Sequence, residues 1–211
     1  MGTLRLGDVA PNFEAETSLG KISFHDWLGD SWGILFSHPA DFTPVCTTEL
    51  GTVANYQSEF DKRGVKVIAV SVDGKQSHID WIKDIEETQN VKVTYPIIAD
   101  ENRVVAELYD MIHPNANDKL TVRSVFIIDS NKKIRLTLTY PASTGRNFDE
   151  IIRVIDSLQL ATKFPVATPA NWKQGNDVIV ANSVASVDIP AKFNQDFIEI
   201  KPYLRYTAQP K

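Results

Sequence analysis

Cys46 is the only cysteine in the 211 residues, and its surroundings set it up for chemistry. A thiol attacks as its thiolate, so a reactive cysteine needs a setting that favours the anion. Thr43 is a favoured N-cap residue, and Pro44 suits the first helical position, where its missing N–H costs nothing. This places Cys46 third in a helix, its sulfur near unpaired backbone N–H groups and the positive end of the dipole. A helix end is worth only about 0.3–1 kcal/mol to an anion. A cation from elsewhere must help, and Arg123 and Arg146 are the candidates. An inert buried hydrophobe is the competing reading for any isolated cysteine; the cap and the Pro-bearing loop ahead of it point to reactivity.

Other chemistry is thinly represented. There is no C-x-x-C pair, so a dithiol reductase is excluded. His25, His38, His78 and His113 lie far apart without ligand spacing, and no metal is expected. Gly29-Asp30-Ser31-Trp32-Gly33 matches the G-x-S-x-G pattern of serine hydrolases. Its usual setting is strand, sharp turn, helix; here it precedes a strand.

The elements that must position Cys46 can be read from apolar spacing. Gly33 to Phe36 is a short buried strand, and Ser37 to Phe42 is a loop. The helix from Pro44 carries a stripe of Cys46, Leu50, Val53, Tyr56 or Gln57, and Phe60, and Gly64 ends it. Val65 to Val72 reads as a central strand covered on both faces. Ile79, Ile82 and Ile85 or Glu86 make a helical stripe through Trp81. Tyr95 to Asp100 is a short strand and Val104 to Met111 a helix. Val122 to Asp129 and Lys133 to Tyr140 pair across the turn at Ser130-Asn131-Lys132, and Asn147 to Leu160 is amphipathic. Strands alternating with helices predict an α/β sheet covered on both faces. After Phe164 prolines punctuate short apolar pieces, which read as an extension of small strands without a core of its own. The expected division is residues 1–164 and 165–211.

Composition narrows the function. Hydrophobic residues make up 43%, enough to fill a core. A net charge of −5 argues against nucleic acid as the main partner. No apolar run is long enough to span a bilayer, and the N-terminal residues lack the apolar core of a secretion signal. One cysteine cannot form an intrachain disulfide, so a cytoplasmic location is expected.

Pro39, Thr43 and Cys46 match P-x-x-x-T-x-x-C, the active-site motif of the peroxiredoxins, and the stretch from Gly29 to Leu50 resembles their 1-Cys class, subfamily six of mammals. The resemblance continues through Tyr140 to Glu150 and on to Tyr203-Leu204-Arg205-Tyr206-Thr207. It implies a thioredoxin-like fold with an N-terminal addition and a small C-terminal β-rich extension that packs in a homodimer. It implies a thiol peroxidase that reduces hydrogen peroxide and organic or lipid hydroperoxides through a Cys46 sulfenic acid, with no cofactor. Thr43 would bond a peroxide oxygen, Pro39 would shield the site, and Arg123 would activate the sulfur and bond the peroxide. His38 and Arg146 match supporting positions. With no second cysteine, an external thiol must resolve the sulfenic acid, and the resemblance implies glutathione delivered by a glutathione S-transferase. Some members of this class are credited with phospholipase A2 activity. His25 and Ser31 match two positions of that site, but the acidic third falls at Asn131, with Asp129 two residues before it. A non-enzymatic redox sensor that uses Cys46 as a switch is the third reading.

Overall fold

The computed structural model describes residues 4–211. The chain divides into two compact units, one ending at Phe148 and the other running Asp149–Lys211. The division falls one residue into the helix expected to close the first unit, at 148/149, whereas the sequence reading places it at 164/165. The reason is that this helix feeds Leu160 into a small core that belongs to the residues after it.

The first unit is built on a seven-stranded sheet of β1 (Glu14–Thr17), β2 (Gly20–Ser23), β3 (Trp32–Ser37), β4 (Val65–Ser71), β5 (Ile97–Ala99), β6 (Arg123–Ile128) and β7 (Ile134–Tyr140). The order is β2-β1-β5-β4-β3-β6-β7. The central β3, β4 and β5 are parallel, β6 and β7 form an antiparallel hairpin, and the β1–β2 hairpin sits at the opposite edge. Every residue of β6, and all of β4 except Lys66, is buried, as expected of strands covered on both faces.

Strand alternation sorts the core. Leu35, Ile68, Val70, Phe126 and Ile128 pack in one cluster with Phe24 and Leu28 of α1 (Phe24–Leu28) and Val105 and Ala106 of α5 (Val104–Leu108). Their neighbours point the other way. Phe36 meets Tyr95 and Phe148 there, each with ring centroids 6.3 Å away.

The helix that carries Cys46 is interrupted. It was expected to run to Gly64; instead α2 (Pro44–Asn55) stops at Tyr56 and α3 (Gln57–Lys62) follows. The Tyr56 N–H is shared between the carbonyls of Thr52 and Val53, which tightens the last turn and re-aims the chain. The stripe of Cys46, Leu50, Val53 and Phe60 is buried as read. On α4 (Lys75–Gln89) the buried line is His78, Trp81 and Ile85, with Ile79 and Ile82 only at its margin. The stripe is rotated toward a histidine that hydropathy alone passes over.

The second unit takes α6 (Phe148–Lys163) from its second residue onward and holds a four-stranded antiparallel sheet, β10-β11-β9-β8, made of β8 (Val166–Ala167), β9 (Val178–Val180), β10 (Phe197–Lys201) and β11 (Leu204–Thr207). It has apolar cores of its own, contrary to the sequence reading. Leu160, Val166, Trp172 and Val178 form one and Val180, Val184 and Ile189 the other, with Phe193 packed against both. Among the described residues no helix is long and apolar enough to cross a membrane.

α2 and α4 meet closely at Gly51. A Cβ on Gly51 would lie 2.4 Å from Gln89 Cγ and 2.7 Å from Gln89 Cβ, atoms too near the backbone to swing aside. Gly51→Ala should therefore destabilise the protein, although helix propensity alone favours Ala by about 1 kcal/mol. Overpacking costs roughly 1–3 kcal/mol, so a thermal midpoint lowered by a few degrees is the expected outcome, and a raised one would show that the helices can part.

Candidate active site

Cys46 is the third residue of α2 and is fully buried. Thr43 has the extended backbone of an N-cap, and Pro44 opens the helix. The Thr43 hydroxyl does not cap, however; it donates to the Ala40 carbonyl at 2.8 Å. Its proton is committed, so it offers its lone pairs outward.

Arg123, the first residue of β6, brings its Nη1 to 3.3 Å from Cys46 Sγ. The same nitrogen donates to Glu49 Oε2 at 2.7 Å, while Nε and Nη2 donate to the Ala142 carbonyl at 3.0 and 2.6 Å. Arg146, between β7 and α6, donates to Glu49 from its backbone N–H and Nε, both at 2.8 Å to Oε1, and from Nη2 at 2.6 Å to Oε2. Its Nη1 reaches the Ser124 carbonyl at 3.0 Å, and its guanidinium lies 4.9 Å from the centre of the Phe36 ring. Burial alone would raise the Glu49 carboxyl; the hydrogen bonds and charge of Arg146, joined by Arg123, outweigh it and hold Glu49 below the usual carboxylate range. Two guanidinium charges and one carboxylate leave a net positive charge against the sulfur. Sequence reading missed Glu49. Its signal was a carboxylate three residues after Cys46, inside the apolar stripe of α2, where an acidic side chain needs a buried partner.

The histidines are not dispersed in space. His38 Nε2 lies 2.9 Å from Asp41 Oδ1, and His78 Nδ1 lies 2.7 Å from Asp41 Oδ2. They form the one group among the described residues whose donor atoms, within 4.8 Å of one another, could hold a metal ion. The contacts have hydrogen-bond lengths, so the residues already face one another as donor and acceptor. Distance along the chain misled here because the fold sets α4 beside the loop of residues 38–43. Burial pushes His38 below its ordinary value, only partly offset by Asp41. Asp41 is held well below the usual carboxylate range: burial would raise it, and hydrogen bonds from both histidines win. Pro39 is buried in this loop, and Phe42 is exposed with φ +53°, a strained setting for a bulky residue.

The hydrolase pattern is not assembled. The His25 ring Nε2 sits on the Ala10 carbonyl at 2.8 Å, and Asp129 accepts Arg135 Nη1 at 3.1 Å together with the Asn131 and Lys133 N–H groups. Ser31 precedes β3 instead of following a strand, with its N–H on the Leu28 carbonyl. No hydrogen bond among the described residues joins His25 to Ser31, Asp129 or Asn131.

These shifts predict an acid-sensitive fold. A histidine held below its unfolded value of 6.5 takes up a proton more readily when unfolded, so stability falls as pH drops through that value. The depressed Glu49 and Asp41 add stability above the ordinary carboxylate range that is lost as pH falls below it. The urea midpoint should thus drop below pH ~4, and between pH 7 and 5 wild type should lose stability relative to His38→Gln. An equal change from pH 7 to 5 in wild type and His38→Gln would rule out a buried neutral His38.

Comparison with known proteins agrees with this architecture. Residues 6–137 match the AhpC/TSA family, and residues 157–191 match the C-terminal domain of 1-Cys peroxiredoxin. The chain is 56% identical over 207 residues to the 1-Cys peroxiredoxin of Dictyostelium discoideum, covering 98% of this chain and 86% of that protein. It is 51% identical to Peroxiredoxin-6 of Mus musculus, with 99% of each chain covered. A yeast mitochondrial 1-Cys peroxiredoxin, solved to describe its thiol resolving mechanism via glutathione/thioredoxin systems, superposes with TM-score 0.92 at 54% identity, covering 98% of this chain and all of that one. The thioredoxin-like sheet, the lone cysteine at a helix start and these full-length matches agree: the chain belongs to the AhpC/TSA family and is a 1-Cys peroxiredoxin, a thiol peroxidase.

Proposed function

We propose that Cys46 is the peroxidatic residue and that Arg123 activates it. The observation that carries this reading is the Arg123 donor 3.3 Å from the only sulfur nucleophile of the chain. The thiolate attacks one peroxide oxygen and the O–O bond breaks. Cysteine leaves as the sulfenic acid, and the departing oxygen takes a proton to become water or an alcohol. Charge moves from sulfur to the leaving oxygen, and the Arg123 guanidinium, rigid and always charged, is placed to follow it. Thr43 presents lone pairs that accept a hydrogen bond from the peroxide O–H, which orients it. Pro39 excludes water, and Arg146 sets Glu49, which sets Arg123.

With one cysteine, the sulfenic acid condenses with an external thiol to a mixed disulfide and water, and a second thiol releases Cys46. Glutathione is the reductant we assign, supported by the glutathione/thioredoxin resolving mechanism described for the yeast relative, and a glutathione S-transferase is the partner we assign to deliver it. Lipid and organic hydroperoxides as well as hydrogen peroxide are the substrates. A reducing compartment, the cytoplasm, suits a cycle that consumes thiols. A homodimer is favoured by β7, whose outer edge is bonded to residues 7–10 only at its start and, among the described residues, carries no strand beyond Ile134, and by exposed Ile198, Ile200 and Tyr203 in the second unit. Sedimentation at twice 23.6 kDa is the expected result, and a monomer at micromolar concentration would remove this part of the proposal.

The central test is peroxide consumption with glutathione or a small dithiol. Multiple turnovers are expected, with none in Cys46→Ser. Arg123→Ala should cost roughly 10²–10³-fold in the oxidation step, the scale for removing one preorganised donor. Glu49→Gln should lower both rate and stability, since it leaves two guanidinium groups buried without a counter-charge; breaking such a pair costs about 3–5 kcal/mol. Equal rates in Arg123→Ala and wild type would sink the activation argument, and a single stoichiometric oxidation would favour a redox sensor instead.

A further inference from the structure

His38, Asp41 and His78 are all buried, and their protons can be counted from their partners. A backbone carbonyl only accepts, so His78 Nε2, 3.1 Å from the Ile98 oxygen, carries a proton. His78 Nδ1 faces Asp41 Oδ2 at 2.7 Å. A bare Nδ1 would set its lone pair against a carboxylate oxygen in a dry site, so Nδ1 carries a proton as well. Asp41 Oδ2 also receives the Ser77 hydroxyl at 2.7 Å, and Oδ1 receives His38 Nε2 at 2.9 Å. That places the His38 proton on Nε2 and leaves its Nδ1, buried and without a hydrogen-bond partner, as a bare lone pair. Asp73, the other acid beside the cluster, is occupied by the Asp41 N–H and the Ser71 hydroxyl.

We propose that His78 is a positioning residue for the peroxidase reaction: protonated on both nitrogens, it neutralises Asp41 and through it fixes the active-site loop and the Nε2-protonated form of His38. The loop needs such a hold. Phe42, next to Asp41, sits at φ +53°, a conformation that persists only where its surroundings over-determine it. Asp41 supplies that hold through Ser77 and His78 of α4. The same helix grips the other side of Cys46, since Trp81 Nε1 donates to Thr47 Oγ1 of α2 at 3.2 Å and the Trp81 ring lies 5.1 Å from that of His38. One face of α4 thus aligns both the loop before Cys46 and the helix that carries it.

This rests on Cys46 as the reacting thiol, and the first experiment is read without turnover, so the two readings can fail separately. In the reduced protein labelled with ¹⁵N-histidine, His78 should show two proton-bearing ring nitrogens and His38 one proton-bearing and one bare. A bare Nδ1 on His78 would overturn the proposal. The second experiment is the single-turnover rate of Cys46 oxidation by hydrogen peroxide. His78→Leu should slow it about tenfold or more, as expected when a reacting group is misplaced. His78→Asn, whose amide can donate to Asp41 from the place of Nδ1 but carries no charge, should recover part of that loss. A His78→Leu rate equal to wild type, or no recovery by Asn in a folded protein, would overturn it. Should His78→Leu fail to fold, the nitrogen spectrum decides alone.

Discussion

One interaction constrains the rest of the site: a guanidinium held against a buried sulfur by a carboxylate that cannot leave. Arg123 alone would have every reason to turn to solvent, since a buried cation without a partner is costly. Glu49 keeps it inside, and Arg146 keeps Glu49 in place with three of its own N–H groups. The net positive charge left over falls on Cys46. Such a network is a weak source of stability, because desolvation consumes most of its Coulombic gain. Its value is geometric: three charged side chains from α2, β6 and the segment before α6 share one arrangement.

The sheet makes that arrangement possible. β3 delivers the loop and α2, and its antiparallel neighbour β6 begins with Arg123 at the same end of the sheet. The two strands place the ends of distant segments within hydrogen-bond reach. On the loop side of Cys46, α4 contributes His78 and Trp81 from the buried line that hydropathy had drawn through isoleucines. Charge is handled differently on the two sides. Near Arg123 an excess cation faces the sulfur, whereas around Asp41 the charges cancel and the order of the loop is what results.

The serine motif shows how a pattern can match without its chemistry. Ser31 has the right neighbours in sequence, but His25 is bound to the Ala10 carbonyl and Asp129 to Arg135. A catalytic triad needs its members to bond one another in turn, and here the histidine and the aspartate each have another partner.

Local signals in the sequence were read well because their causes are local. Thr43-Pro44 marked the start of α2 through backbone preference, short continuous apolar runs located β3, β4 and β6, and the lone cysteine with its motif pointed to peroxide chemistry. The break at Tyr56, the second unit's own cores and its boundary at 148/149 were not legible, since they depend on which surfaces find partners. The same holds for the site. The sequence by itself determined that Cys46 lies at a helix start with a thiol nucleophile's surroundings, and it named Arg123 and Arg146 without saying what held them. Only the tertiary structure decided that Glu49 joins them, and that His38 and His78, 40 residues apart, share Asp41. The physical reason is that buried polar groups are satisfied by whatever the fold brings near: Arg123 stands 77 residues from Cys46 along the chain and 3.3 Å from it in space.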